Sequence, residues 1–145
     1  MTGFKDWVAI TDLKAKYCRY LDTKRWDAWR DLFVEDFVLE MLSDQGKVLV
    51  EGRDEAIAST RGFVQDLVTV HQVHMPEIVI EGDAATGIWP MHDRVMLDAE
   101  RSINGFGHYC DEFRRVDGEW KIARLKLIRL HMDWLPGSGK ASAEN

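Results

Sequence analysis

The stretch EFRRVDGEWKIARLKLIRLHM, residues 112–132, places Asp117-Gly118 between two hydrophobic runs. Aspartate followed by glycine signals a hairpin, because both tolerate the positive φ that a tight two-residue turn demands. Past the turn, Leu125, Leu127, Arg129 and His131 alternate onto one face, the period-two pattern of a half-buried strand. The stretch therefore predicts paired antiparallel strands at about 105–116 and 119–133. Working upstream, the same period predicts strands at about 69–81 and 85–99, punctuated by Glu81-Gly82-Asp83 and Asn104-Gly105. The second half of the chain is a long antiparallel meander.

The first half follows a different period. Ile10, Leu13, Tyr17 and Leu21 recur at helical spacing, with Lys14, Lys16 and Arg19 assigned to the rest of the wheel. A first helix over 4–21 follows. Asp22 or Thr23 is a candidate N-cap for a second, short helix marked by Trp26, Trp29, Leu32 and Phe33. FVLEML (37–42) and KVLVEG (47–52) read as short strands joined by the turn residues SDQG, and Ile57, Phe63, Val64 and Leu67 mark a third helix over 53–67. Helices followed by a meander predict an α+β fold, with a curved sheet wrapped round the first amphipathic stripe and an open end able to hold a small molecule.

Composition narrows the function classes. The length of 145 residues predicts one domain, spanning 1–135, and the run PGSGKASAEN (136–145) predicts a flexible tail. With 25 acidic against 19 basic residues the net charge is -6, and Lys and Arg form no stripe suited to phosphates, so nucleic acid is not an expected partner. No run of about 18 apolar residues is present and Asp6 and Asp12 stand where a signal peptide would be apolar, so no membrane association and a cytoplasmic location are expected. Cys18 and Cys110 lie far apart with no neighbouring ligand at zinc spacing and read as buried free thiols. Six tryptophans suit an apolar, ligand-holding interior.

Charges on apolar faces are the informative anomalies. In GIWPMHDRVML (87–97), Trp89, Met91, Asp93, Val95 and Leu97 share one face. An isolated ionised carboxylate there would be costly, so Asp93 needs a partner, a proton or a polar pocket. Arg129, on the inward face of the last strand, is the available cation, and a purely structural Asp93–Arg129 pair explains the pattern as well as a functional one does. Tyr17 and Asp22, five residues apart, are rotated by about 140° on a continuous helix and meet only if the helix ends between them. His71 and His74 in HQVHMPEI (71–78) point to opposite faces of a strand, so they are badly placed to chelate one metal ion. One is expected to face the interior, where a neutral-pH titrating imidazole suits proton transfer.

LKAKYCRYLDTKRWDAWRDLF (13–33), HQVHMPEIVIEGDAATGIWPMHD (71–93) and GHYCDEFRRVDGEWKIARLKLIR (107–129) together resemble the SnoaL-like branch of the NTF2-like superfamily. Within it, the chain is most similar to bacterial bile acid 7α-dehydratases, with scytalone dehydratase and hexachlorocyclohexane dehydrochlorinase as more distant relatives. The resemblance implies an α+β cone: three helices packed in a strongly curved antiparallel sheet, commonly assembled as a trimer, a dimer being the alternative. Carried over by motif, it implies Tyr17 and Asp22 as catalytic residues from Y-x-x-x-x-D. It implies His71 as the catalytic base from H-x-x-H-x-P-E-I, with His74 a neighbour, and Asp93 and Arg129 as substrate-binding residues. Trp89, Met91 and Phe106 are the expected cavity lining.

The activity so implied is a cofactor-free, metal-free elimination or isomerisation on a small apolar cyclic hydroxy-carbonyl compound such as a steroid or terpenoid. His71 would move the proton, Asp22 hold its tautomer, and Tyr17 donate a hydrogen bond to the enolate oxygen. Two alternatives stay open: a non-catalytic ligand-binding or assembly subunit of the same fold, and a polyketide cyclase or epoxide hydrolase-like enzyme.

Overall fold

The computed structural model describes residues 2–137. In chain order the elements are α1 (Thr2–Asp22), α2 (Trp26–Arg30), β1 (Phe33–Ser43), β2 (Gly46–Glu51), α3 (Arg53–Val64), β3 (Val68–Val73), β4 (Glu77–Glu81), β5 (Ala84–Met96), β6 (Arg101–Val116) and β7 (Glu119–Pro136). Pro136, expected in the tail, ends β7, and 138–145 lie outside the described residues.

The α1 stripe Ile10, Leu13, Tyr17 and Leu21 is buried as its spacing predicts, but Lys14, expected on the polar side, is fully buried with it. Residues 10, 14, 17 and 21 are separated by four, three and four positions and so stack on one helix face. Position, not charge, decided the orientation of Lys14. Neither Asp22 nor Thr23 caps α2: Asp22 is the last residue of α1, Thr23 Oγ1 donates back to the Arg19 carbonyl (2.7 Å), and the cap position falls on Arg25 without a side-chain bond. Leu32 and Phe33 leave the helical run, and Phe33 opens β1. α3 stops at Val64 rather than Leu67, and Phe63, expected inward, is exposed.

The sheet has the order β2-β1-β7-β6-β5-β3, with β4 also paired to β5. It is mixed rather than wholly antiparallel, because β1 runs parallel to β7, with Leu39 beside Leu125 and Met41 beside Leu127. These two strands are joined by most of the chain, so no hairpin constrains their direction. The strand expected over 69–81 is two, β3 and β4, separated by His74-Met75-Pro76; both pair with β5. Proline has no N–H to give the ladder, which suits the break.

Asp117 (φ 50°) and Gly118 (φ 82°) both take positive φ in the β6–β7 turn, as their sequence predicts. Asn104-Gly105, by contrast, is no turn. The β5–β6 connection lies at Leu97–Glu100, where the Asp98 carboxylate accepts from the Glu100 and Arg101 backbone N–H groups, and β6 runs straight through Gly105. Long strands β5, β6 and β7 curl round α1, helped by register shifts between β6 and β7 after Phe106 and after Glu112. The helices fill the concave side. On the outside, Leu130 (69% exposed), Met75 (79%) and Trp134 (57%) remain uncovered.

Candidate functional site

Where α1 ends, β3 passes beside it. Thr69, His71 and Val73 alternate inward along β3 while Val68, Val70 and Gln72 face out. The Asp22 carboxylate receives Thr69 Oγ1–H (2.9 Å), the His71 backbone N–H (2.8 Å) and His71 Nδ1 (2.6 Å). Lys24 Nζ donates to Thr69 Oγ1 (3.0 Å), extending the network outward. A carboxylate can only accept, so the pairing places the proton on Nδ1 and leaves the Nε2 lone pair of the neutral ring unused. The His71 side chain is 10% exposed, enough to meet a ligand without being open to bulk water.

Directly across the β3–β5 ladder from His71 stands Asp93. Its Oδ2 is 3.8 Å from His71 Nε2, beyond hydrogen-bonding range. Instead Asp93 is held from β7: Arg129 Nη1 donates to Oδ1 (2.9 Å) and Nη2 to Oδ2 (2.7 Å), the bidentate geometry that makes such pairs strong. Burial works against the Arg129 charge, and the hydrogen bonds it donates to the Asp93 carboxylate more than restore it, raising its pKa. The expected ion pair is therefore present, and it borders the His71–Asp22 pair rather than lying apart from it.

Tyr17 sits deeper. α1 does not end between Tyr17 and Asp22, so the two side chains diverge, and Tyr17 makes no hydrogen bond to Asp22 or His71 among the described residues. Its ring packs against Trp29 (5.5 Å between centroids), Phe33 (6.1 Å) and Tyr109 (5.9 Å). Burial pushes its phenol well above the ordinary tyrosine range, which keeps the hydroxyl protonated and able to donate. Trp89 (2% exposed) and Met91 (3%) share the inward face of β5 with Asp93, as expected.

Phe106 and His131 do not. Phe106 lies on the outer face of β6, stacked on His92 with 4.8 Å between centroids and 6.4 Å from His131. The irregularity opposite Phe106 and Gly107 leaves Leu130 as an extra residue in β7, which reverses the alternation after Arg129 and sends His131 outward to Asp133 (2.6 Å). Phe106 is thus removed from the cavity lining. His74 is also exposed, its backbone N–H bonded to the Pro90 carbonyl (3.0 Å), so the two histidines of HQVHMPEI face opposite ways. Among the described residues no three or more His, Cys, Asp or Glu side chains are grouped to hold a metal ion, and no helix is long and apolar enough to cross a membrane.

A second buried ion pair was not anticipated. Lys14 Nζ and Asp111 Oδ2 are 2.7 Å apart with both side chains fully buried, and the ammonium lies 3.4 Å from the Tyr109 ring centroid and 4.3 Å from that of Tyr17. The signal was in reach: in β6, Ile103, Gly105, Gly107, Tyr109, Asp111 and Phe113 share one face by the alternation that singled out Asp93. On its outer side, Arg129 borders a cleft of about 210 Å³ also lined by Ser43, Asp44, Leu130, His131 and Met132.

Comparison with known proteins places the chain in a family. A protein of Gibberella zeae named as a probable cyclase is 24% identical over 130 residues, covering 81% of this chain and 87% of that one. Among solved structures, the type 3 hexachlorocyclohexane dehydrochlorinase of Novosphingobium barchaimii is similar with a TM-score of 0.78 at 18% identity, covering 98% of this chain and 97% of the other. A Novosphingobium aromaticivorans protein provisionally named a scytalone dehydratase is similar with a TM-score of 0.81 at 22% identity, covering 97% and 98%. These likenesses in structure show the α+β cone. The SnoaL-like domain matches residues 4–126, and the chain belongs to that family.

Proposed function

We propose that the protein is a lyase that eliminates water from, or isomerises, a small neutral cyclic hydroxy-carbonyl compound of steroid or terpenoid type. The observation that carries this reading is the 2.6 Å contact between His71 Nδ1 and the Asp22 carboxylate, which leaves Nε2 as a base at the edge of the interior. The names of its relatives, a probable cyclase and a dehydrochlorinase, support an enzyme of this general kind.

In the elimination, His71 Nε2 takes the proton α to the carbonyl, and the C–H electron pair delocalises onto the carbonyl oxygen. Collapse of that enolate forms the C=C bond and expels the β-hydroxyl, which leaves as water with the proton returned by the imidazolium. No electrons are gained or lost overall. Asp22 stabilises the imidazolium as it forms, and Tyr17 is the donor proposed for the enolate oxygen after a local adjustment toward the substrate. Asp93 and Arg129 flank the leaving hydroxyl. A positioned base supplies roughly 10²–10⁴-fold in rate.

A second reading, a non-catalytic binding or assembly subunit, draws on the filling of the cone by its own side chains: Trp89, Met91 and Tyr109 are each at most 3% exposed. In either case we propose a homo-oligomer, a trimer by the family resemblance, joined through the uncovered outer face around Leu130 and Trp134. The test is to incubate the protein with a panel of cyclic β-hydroxyketones and follow growth of the conjugated enone absorbance. Enone formation above the buffer rate supports the lyase. No turnover across the panel, with ligand binding retained, would favour the binding subunit.

A further inference from the structure

We propose that Gly105 is a positioning residue whose missing side chain lets Arg129 cross β6 and neutralise Asp93, so that Asp93 does not capture His71. Asp93 is on β5 and Arg129 on β7, with β6 between them. Neighbouring strands lie about 4.8 Å apart, so the two side chains meet above the intervening strand. Gly105 is the β6 residue opposite Asp93 in the ladder. A Cβ there would stand 1.9 Å from Arg129 Nη1 and 2.2 Å from Asp93 Oδ1. No real contact is that short, and the guanidinium and carboxylate ends are already fixed by their two mutual hydrogen bonds.

Backbone conformation does not call for the glycine. Among the described residues the glycines with positive φ are Gly46, Gly52, Gly82 and Gly118, and Gly105 is not one of them. Nor does a turn, since β6 continues on both sides of it. A glycine inside a long central strand gives up packing and costs ordering entropy relative to alanine. Space is what it provides.

The consequence falls on His71. Charged groups face its ring from each element packed round it: Asp22 from α1, Lys24 beyond it through Thr69, Asp93 from β5 and Arg129 from β7, while β6 supplies only Gly105 at that level. With Arg129 in place, Asp93 stays 3.8 Å from Nε2 and its charge is balanced. Without Arg129, Asp93 is free to accept from Nε2–H while Asp22 accepts from Nδ1–H. An imidazolium held between two carboxylates is a poor base. Arg129 is thereby assigned to Asp93 rather than to an anionic substrate group. The kinetic meaning rests on the proposed role of His71, whereas the geometric inference can be tested with no substrate.

The experiment is a double-mutant cycle read by NMR titration of the His71 ring, assigned with His71→Gln and referenced to exposed His74, together with the thermal midpoint. Gly105→Ala is made in the parent and in a background lacking the ion pair, Asp93→Asn/Arg129→Met. In the parent, the substitution is expected to move the His71 titration to higher pH and lower the thermal midpoint by several degrees. In the pair-free background it is expected to do neither. An unmoved His71 titration in the parent, or the same thermal loss in both backgrounds, would overturn the proposal. Should Gly105→Ala fail to fold in the parent, folding in the pair-free background supports the proposal and failure there too overturns it.

Discussion

Two sets of ionisable side chains lie inside the same cone, and they are built differently. Lys14 and Asp111 are fully buried and joined by one hydrogen bond, with Asp111 Oδ1 left without a partner among the described residues. Burial raises the Asp111 carboxyl above its usual range, and the Lys14 charge pulls it back. Asp22, His71, Asp93 and Arg129 keep between 2% and 20% side-chain exposure, and each carboxylate is held by at least two hydrogen bonds. A buried charge therefore does not by itself mark a site. What distinguishes the second set is satisfied carboxylates around one nitrogen, His71 Nε2, that is left free near solvent.

The contrast can be broken most sharply at Lys14. Lys14→Met leaves Asp111 as an uncompensated buried charge, and a loss of about 3–5 kcal/mol in unfolding free energy is expected in denaturant titration. Lys14→Met/Asp111→Leu replaces both charges by apolar groups of similar size and is expected to recover most of that stability. A double variant as unstable as the single one would show that the Lys14–Asp111 pair does more than cancel its own charge. Asp22→Asn tests the other set: unfolding free energy should change far less than in Lys14→Met, while enone formation falls by about 10²–10⁴-fold because the amide no longer stabilises the imidazolium. Equal stability losses at the two places would erase the distinction.

A third cluster sharpens the comparison through pH. Glu40, 4% exposed on β1, is bonded to Lys47 and Arg124, and its carboxyl is lowered from 4.5 to about 2, by Lys47 first and Arg124 second. A folded-state value below the unfolded one means the stabilisation is present above about 4.5 and is lost as the pH falls toward about 2. Glu40→Gln should therefore be less stable than the parent at neutral pH, with the gap closing over that acid interval in thermal melts. This is the smallest of the expected effects, since both basic partners are substantially exposed.

Much of this was legible in the chain, for identifiable reasons. Period-two alternation found β5 and β7, Asp117-Gly118 found the turn between β6 and β7, and three-residue spacing in an extended segment separated His71 from His74. The same rules failed where a local feature carried two meanings. By its charge Lys14 reads outward, against its place on the stripe, and no helical pattern reveals a partner 97 positions away. Asn104-Gly105 looked like a turn, because glycine that makes room and glycine that bends the chain have the same letter. The extra residue at Leu130 reversed the alternation that had placed His131 beside Arg129, and a bulge leaves no periodic mark in advance. Phe106 reads as lining by its residue type, whereas alternation puts it with Asn104 and His108 on the outer face of β6. The parallel pairing of β1 with β7 depends on contacts across most of the chain, beyond the reach of local pattern.

The central claim is that His71 is the base, and the most direct measurement is the rate of enone formation by His71→Ala against the parent, with both shown to be folded by their thermal melts. A loss of about 10²–10⁴-fold with an essentially unchanged thermal midpoint is the predicted result. Turnover retained in full by folded His71→Ala would contradict it.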